Sequence, residues 1–272
     1  PSFNYQRGGL SALSLVNFSD AKTVTISAAS VAVEIDGKCL LNDVSLCIEP
    51  DQIIAVVGPN GAGKSTLIAA ITGDIAPTEG IIRCDGNDLH ALSFLDRAAI
   101  RSVMAQSQSV VYDFSVLDII AMGWVRGHDG ESARQFGAAV SAIVEECAIA
   151  ELPGRTFNSL SGGEQRRVHF ARALMQLWRP QGSPNSAYLL LDEPTANLDL
   201  AHEVRLLKKL TALAADGIGI LLVVHDLNIA AKFADKIALL YSGRMTCIGP
   251  PKDVLTAERL SRVFEIPISI DP

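Results

Sequence analysis

Ile53-Ile54-Ala55-Val56-Val57-Gly58-Pro59-Asn60-Gly61-Ala62-Gly63-Lys64-Ser65-Thr66 is an apolar run that empties into a glycine-rich loop. Five apolar residues without polar alternation predict a strand buried on both faces, as in a parallel sheet. Residues 65–72 continue as a helix. Gly58 to Ser65 satisfies G-x-x-x-x-G-K-[ST] in full. The chemistry explains the spacing. Gly58, Gly61 and Gly63 let the backbone adopt left-handed angles and bring its N–H groups against phosphate oxygens. The helix start adds its positive dipole end. Lys64 can reach the β- and γ-phosphates, and the Ser65 hydroxyl can ligate Mg²⁺. The plain alternative, a glycine-rich turn that binds nothing, is disfavoured by the strand before it and the helix after it.

A second apolar run, Tyr188-Leu189-Leu190-Leu191, ends in Asp192-Glu193-Pro194. Its end places Asp192 at the C-terminal edge of the sheet, where open α/β folds bind ligands. A hard divalent cation takes such an oxygen, often through water. A strand-end carboxylate next in line, Glu193, can orient or deprotonate an attacking water. Asp-Glu-Pro alone would fit two solvated acids in a turn. Behind three leucines, and with a complete phosphate loop in the chain, it does not.

The rest of the chain is organised around these two strands. Residues 23–35 and 38–48 alternate loosely about Asp36-Gly37, which predicts a β-hairpin. Residues 80–84 predict a short strand. Between about 89 and 173 the texture turns helical, with periodic stretches at 116–122, 131–147 and 164–177. Strand and helix then alternate: strands at 187–191, 218–224, 236–241 and 245–248, helices at 200–214, 227–234 and 252–264. The fold class is α/β: a P-loop NTPase core with a mainly parallel sheet, an N-terminal antiparallel β subdomain and an inserted helical subdomain. Residues 24–260 form a single nucleotide-binding domain, without internal repeat. Residues 1–23, polar and without clear period, are expected to be an extension outside it, and 261–272 a tail.

Composition bounds the function. The chain has 272 residues, 49% of them hydrophobic, enough for a sizeable core. A net charge of −7 argues against nucleic acid as a partner. Five scattered cysteines fit neither a disulfide framework nor a zinc site and point to a reducing compartment. No apolar run approaches the ~18 residues needed to span a bilayer, and the N-terminus lacks the order of a signal peptide. A membrane role is therefore expected to be peripheral. His90, His128, His169 and His202 have no partner at metal-ligand spacing, and surface or packing roles are expected of them.

Leu160-Ser161-Gly162-Gly163-Glu164-Gln165 lies between the two nucleotide motifs. Ser161 and Glu164 form a capping box, so the segment is a helix N-terminus and an anion site by its own physics. With this segment the chain resembles the ATP-binding subunits of ABC transporters over roughly residues 24 to 260. The resemblance also covers Gln106 in Met104-Ala105-Gln106, Ala196-Asn197-Leu198-Asp199, and His225 in Val223-Val224-His225-Asp226. It implies ATP and Mg²⁺ as ligands. Gln106 would contact Mg²⁺ and the water, and would link the core to the helical region. Glu193 would be the general base, and His225 would hold the γ-phosphate and position Glu193. Asp199 would lie at a homodimer interface, where Ser161, Gly162, Gly163 and Glu164 face the ATP of the other copy. Ile35 stands where the family often stacks an aromatic ring on adenine, which implies apolar contact without stacking and looser base selectivity.

Two further features are similar to one branch of that family, the importers of iron chelates, haem and cobalamin. One is His225-Asp226-Leu227-Asn228. The other is a long connector after Arg172 that contains Gln176-Leu177-Trp178-Arg179-Pro180, similar to the haem-importer ATPases of bacteria. The resemblance implies haem import at the cytoplasmic face of the inner membrane, with two permease subunits and, indirectly, a periplasmic substrate-binding protein. A ferric-siderophore or cobalamin importer is the alternative. DNA-repair relatives need long coiled coils and ribosome-associated relatives two nucleotide modules; the chain has neither. Exporter subunits fit the importer-like features less well, and a pure binding module would have no use for Glu193.

Overall fold

The computed structural model describes residues 25–106, 110–125, 133–178 and 187–270. The expected extension at 1–23, the loop around His128 and the connector at 179–186 lie outside the described residues. β1 (Ile26–Ile35) and β2 (Lys38–Ile48) pair antiparallel, with Ile35 opposite Lys38. Asp36 and Gly37 take φ of 51° and 74°, the left-handed angles that a two-residue hairpin turn requires. β3 (Ile53–Val57) runs into α1 (Lys64–Thr72). β4 (Glu79–Cys84) joins β1, and β5 (Asn87–Asp88) completes a four-stranded sheet of order β2-β1-β4-β5.

α2 (Phe94–Ile100) leads into β6 (Arg101–Met104). The helical region contributes α3 (Val116–Ala121), α4 (Ala133–Glu146) and α5 (Gly162–Leu177). The alternating part follows as β7 (Tyr188–Asp192), α6 (Leu200–Ala215), β8 (Gly219–Val223), α7 (Leu227–Phe233), β9 (Lys236–Tyr241) and β10 (Arg244–Gly249). The second sheet has the order β10-β9-β3-β8-β7-β6, parallel except for β10.

The central strands are buried on both faces, and their alternation divides the core into two layers. Ile54, Val56, Leu190, Leu221 and Val223 face α1 and the antiparallel sheet, packing with Val31, Leu41, Leu67 and Ile71. Ala55, Val57, Leu189, Leu191 and Leu222 face the opposite way, toward the helices that supply Val168, Leu174, Leu206 and Leu210. Full burial of each Val, Leu or Ile among them contributes about 1.5–3 kcal/mol relative to exposure. The layers clamp β3 and β7 side by side across β8, so both motif-bearing strand ends emerge on the same edge of the sheet.

Three elements differ from expectation. β6 lies within the stretch 89–173 expected to be mainly helical, yet it is the edge strand of the large sheet, pairing Arg101 to Met104 with Tyr188 to Leu191. Two of its four residues are polar, and both are buried: the Arg101 guanidinium donates to the Thr72 carbonyl, and the Ser102 hydroxyl to that of Ala173 at 2.9 Å. The helix expected at 252–264 divides into α8 (Pro251–Val254) and α9 (Ala257–Phe264), because Thr256 leaves helical geometry to cap the second. The tail expected from 261 accordingly begins inside α9.

Candidate nucleotide site

The loop after β3 is shaped by contacts that exclude side chains. A Cβ on Gly58, whose φ is +153°, would sit 2.0 Å from the Leu240 carbonyl oxygen. One on Gly63 (φ +102°) would meet the Leu40 carbonyl oxygen and Leu41 Cδ2, each at 2.8 Å. Gly63 is also the N-cap of α1 and offers no side-chain acceptor, and the first turn carries no acidic residue. The leading N–H groups of α1 therefore have no intrachain cap, the condition under which a helix start receives an anion. Lys64 is buried, and its ammonium donates to the carbonyls of Gly58 at 2.8 Å and Pro59 at 2.9 Å. Burial holds its pKa below the ordinary lysine value, against the pull of Glu193 and Asp192.

Asp192 ends β7 buried, and Glu193 leaves the strand at φ +50°. Such an angle costs a residue with a side chain about 1–3 kcal/mol and turns the chain sharply. The Glu193 N–H donates to the Val223 carbonyl at 3.1 Å, holding the turn against the end of β8. Glu193 Oε1 then lies 2.5 Å from His225 Nε2, one residue past Val224. Asp226, the N-cap of α7, accepts from Asn228 N–H at 2.7 Å and fixes the segment that presents His225.

Lys64, Ser65, Thr66, Asn60, Gly61, Gly63, Gln106 and Glu193 line one cavity of about 490 Å³. Lys38, Cys39 and Leu40 wall it on the β2 side, and Ser242 and Gly243 on another. Pro59 and Ala62 lie on an adjoining cavity bordered by Tyr241 and Glu265. Ile35, expected against the base, is not among the residues that line the cavity; it stands at the tip of β1, part-exposed.

Mg²⁺ is tested by what surrounds Asp192. Its Oδ1 is buried without a hydrogen-bond partner, and burial raises the carboxyl pKa above the usual carboxylate range, while the Ser65 hydroxyl bonds the group and opposes the rise. An orphaned carboxylate oxygen beside a hydroxyl, with the Gln106 side chain on the same cavity, is the oxygen-donor set that a hard divalent cation takes. The residues fit the ion. Asp192→Asn is expected to raise the thermal midpoint of the protein, measured with a chelator and no nucleotide at neutral pH, by about 2–4 °C, roughly 1 kcal/mol. The sign follows from the raised pKa. The wild type bears the buried charge only above that pKa, so the advantage of the variant fades as pH falls into the acid range. Equal midpoints at neutral pH would mean that the Asp192 charge is already compensated.

The segment Ser161–Glu164 stands apart from this cavity. The Ser161 N–H and hydroxyl both donate to Glu164 Oε2 at 2.8 Å, and Glu164 N–H returns a longer bond to the Ser161 oxygen at 3.4 Å. The Ser161 bonds, its backbone N–H above all, hold the Glu164 carboxyl below its ordinary pKa. A Cβ on Gly163 would lie 2.9 Å from the Asn197 carbonyl oxygen, so the helix tip packs on the segment before Asp199. Asp199 caps α6 and accepts from the His202 N–H at 2.9 Å, with His202 Nδ1 at 2.8 Å from the same carboxylate. None of Ser161, Gly162, Gly163, Glu164 and Asp199 lines the cavity of Lys64.

Comparison with known proteins gives this geometry a family. The ABC transporter family model matches residues 41–196, from β2 through the turn after Glu193. The chain belongs to the ABC transporter ATP-binding family. It is 40% identical to the hemin import ATP-binding protein HmuV of Rhodopseudomonas palustris (strain BisB5), covering 91% of this chain and 92% of the relative. It is 41% identical to the HmuV protein of Gloeobacter violaceus, covering 88% and 86%. A solved ATP-binding subunit of an ABC transporter superposes with a TM-score of 0.74 at 21% identity, over 90% of this chain and 95% of that one, and shares the fold.

Against this ABC fold, several site residues escaped the sequence: the cavity walls at Lys38–Leu40 and Ser242–Gly243, and Arg166. Arg166, in α5, donates through Nη2 to the carbonyls of Asp192 (2.8 Å) and Glu193, and through Nη1 to that of Gln106 (2.5 Å). A signal was present: Arg166 falls on the buried stripe it shares with His169, Phe170 and Ala173, where a cation is out of place unless paired.

Proposed function

We propose that this chain is the ATP-hydrolysing subunit that powers import of haem across the bacterial inner membrane. That it is an ABC-type ATPase coupled to transport follows from its family. One observation carries the chemistry: Glu193 Oε1, 2.5 Å from His225 Nε2, stands on the same cavity as Lys64, Ser65 and Gln106. In the reaction a water oxygen bonds to the γ-phosphorus as the bond to the leaving ADP oxygen breaks. Glu193 takes the water's proton. With its Nε2 protonated, His225 donates to Glu193 and keeps the carboxylate aimed. Lys64 exchanges its loop carbonyls for the β- and γ-phosphate oxygens. Ser65 and Asp192, with Gln106 beside them, would hold Mg²⁺, which would supply positive charge to the transferring phosphoryl group.

The assembly is read from what one chain lacks. The helix tip Ser161–Gly163 is built like an anion site but does not border its own phosphate loop, so it suits the ATP of a second copy in a head-to-tail homodimer. Permease docking is supported by a second cavity of about 490 Å³ lined by Val110, Val111, Tyr112, Phe114, Ile119 and Met122, with His169 and Arg172 alongside. Val111 is 82% exposed and Tyr112 72%, an apolar patch of the kind that marks a protein contact. Its occupant is a cytoplasmic loop of a transmembrane permease subunit, one per ATPase copy. Among the described residues no helix is long and apolar enough to cross a membrane itself. A periplasmic substrate-binding protein would deliver the cargo to the permease.

Haem as cargo is supported by the hemin import relatives at 40% and 41% identity. The test is growth of the source bacterium with the gene deleted, on haem, on a ferric siderophore and under cobalamin dependence. A defect confined to haem is the expected result. Normal growth on haem with a defect on another nutrient would reassign the cargo and leave the ATPase chemistry standing.

A further inference from the structure

Arg166 is buried at a junction of three segments that the nucleotide chemistry uses. It sits in α5, five residues after Ser161, the cap of that helix. One arm of its guanidinium donates to the carbonyls of Asp192 and Glu193, where β7 ends; the other donates to Gln106, with the Ala105 carbonyl at the outer limit of 3.5 Å. All these acceptors are backbone oxygens, so the contacts fix where the main chain runs. They leave the carboxylates of Asp192 and Glu193 and the Gln106 amide free to act. The peptide so held is the one at which Glu193 turns with φ +50°. A planar fork gives one arm to the Asp192 and Glu193 carbonyls and the other to Gln106, whereas an ammonium donates from a single nitrogen, as Lys64 does to its two adjacent loop carbonyls.

We propose that Arg166 is a positioning residue for hydrolysis, a strut that ties Glu193 and Gln106 of one site to the helix whose tip, Ser161–Gly163, faces the nucleotide of the other. The inference rests on the homodimer reading above. Because α5 is continuous from Gly162 to Leu177, a shift of its tip on meeting the second nucleotide is carried to Arg166 and from there to the base. The two sites then communicate through the body of the chain as well as across the interface.

The test uses the full-length chain, Mg²⁺ and ATP. Arg166→Met is expected to lower kcat roughly 10- to 100-fold, the scale of misplacing a reacting group by about an ångström. The affinity for ATP, measured with a fluorescent analogue, should stay within about twofold, since Lys64 and Ser65 are untouched. Arg166→Lys, which keeps the charge and can serve one arm, should recover part of the loss. Because Arg166 acts through Glu193, adding Arg166→Met to Glu193→Gln should slow the single variant by less than about twofold. Three results would overturn the proposal: wild-type kcat in Arg166→Met, a fall in ATP affinity that matches the fall in kcat, or a double variant slowed by the full product of the two effects. If Arg166→Met does not fold, Arg166→Gln is read by the same split; failure of both to fold would assign Arg166 a structural role only. Absence of turnover in the wild type would contradict the proposed function, whereas wild-type turnover with an unaffected variant contradicts this inference alone.

Discussion

Glu193→Gln is expected to bind ATP with nearly wild-type affinity and to hydrolyse it about 10²–10⁴ times more slowly, the usual loss when a general base is removed. The substitution is matched to the geometry. Gln has the length of Glu and can still meet His225 Nε2, which lies 2.5 Å from the carboxylate. Nothing obliges the backbone to move, because the bonds that hold the turn, from Glu193 N–H to Val223 and from Arg166 to the Glu193 carbonyl, do not involve the side chain. What disappears is the capacity to accept a proton. Phosphate release under saturating ATP, measured beside binding of a fluorescent ATP analogue, separates the two quantities. Turnover near the wild-type rate would take the base away from Glu193.

Lys64→Ala should fail at the earlier step. The ammonium is buried and held by the Gly58 and Pro59 carbonyls, so its desolvation is already met before nucleotide arrives. A point charge placed in this way interacts with phosphate far more strongly than one in water. Truncating one side of a buried, hydrogen-bonded charge pair costs about 2–5 kcal/mol. The dissociation constant for ATP should rise by roughly 30- to 5,000-fold, and turnover at limiting ATP should fall with it. Titration of the analogue against both proteins measures the ratio. An unchanged constant would mean that Lys64 does not touch the phosphates.

These residues were legible because their signals are local. The β3 run, the glycines after it and the helix that follows are neighbours in sequence, and so are Tyr188 to Glu193. The Asp36-Gly37 hairpin and the Ser161–Glu164 box likewise close within four residues, and the structure contains both. What was hidden depends on distant partners. Nothing in Arg101 to Met104 announces a strand; the edge of β7 makes it one. Arg166 reads as an ordinary helix arginine until Gln106 and Asp192, separated from it by 60 and 26 residues, are folded against it. The cavity wall at Lys38–Leu40 is set by the packing of β2 beside the loop, where the Gly243 N–H bonds the Ala62 carbonyl and Asn42 N–H bonds Gly243 in turn. Ile35 was placed against the base by its position along the chain; in the fold it stands part-exposed at the tip of β1, outside the residues that line the cavity.

Hydrolysis at Glu193 is proposed to drive haem inward. This coupling is tested most directly by the accumulation of isotopically labelled haem in deletion cells carrying either the wild-type chain or Glu193→Gln, expressed to equal levels. Uptake restored by the wild type and absent with Glu193→Gln is the predicted result. Equal uptake with both, or parental uptake in the deletion cells themselves, would contradict the account.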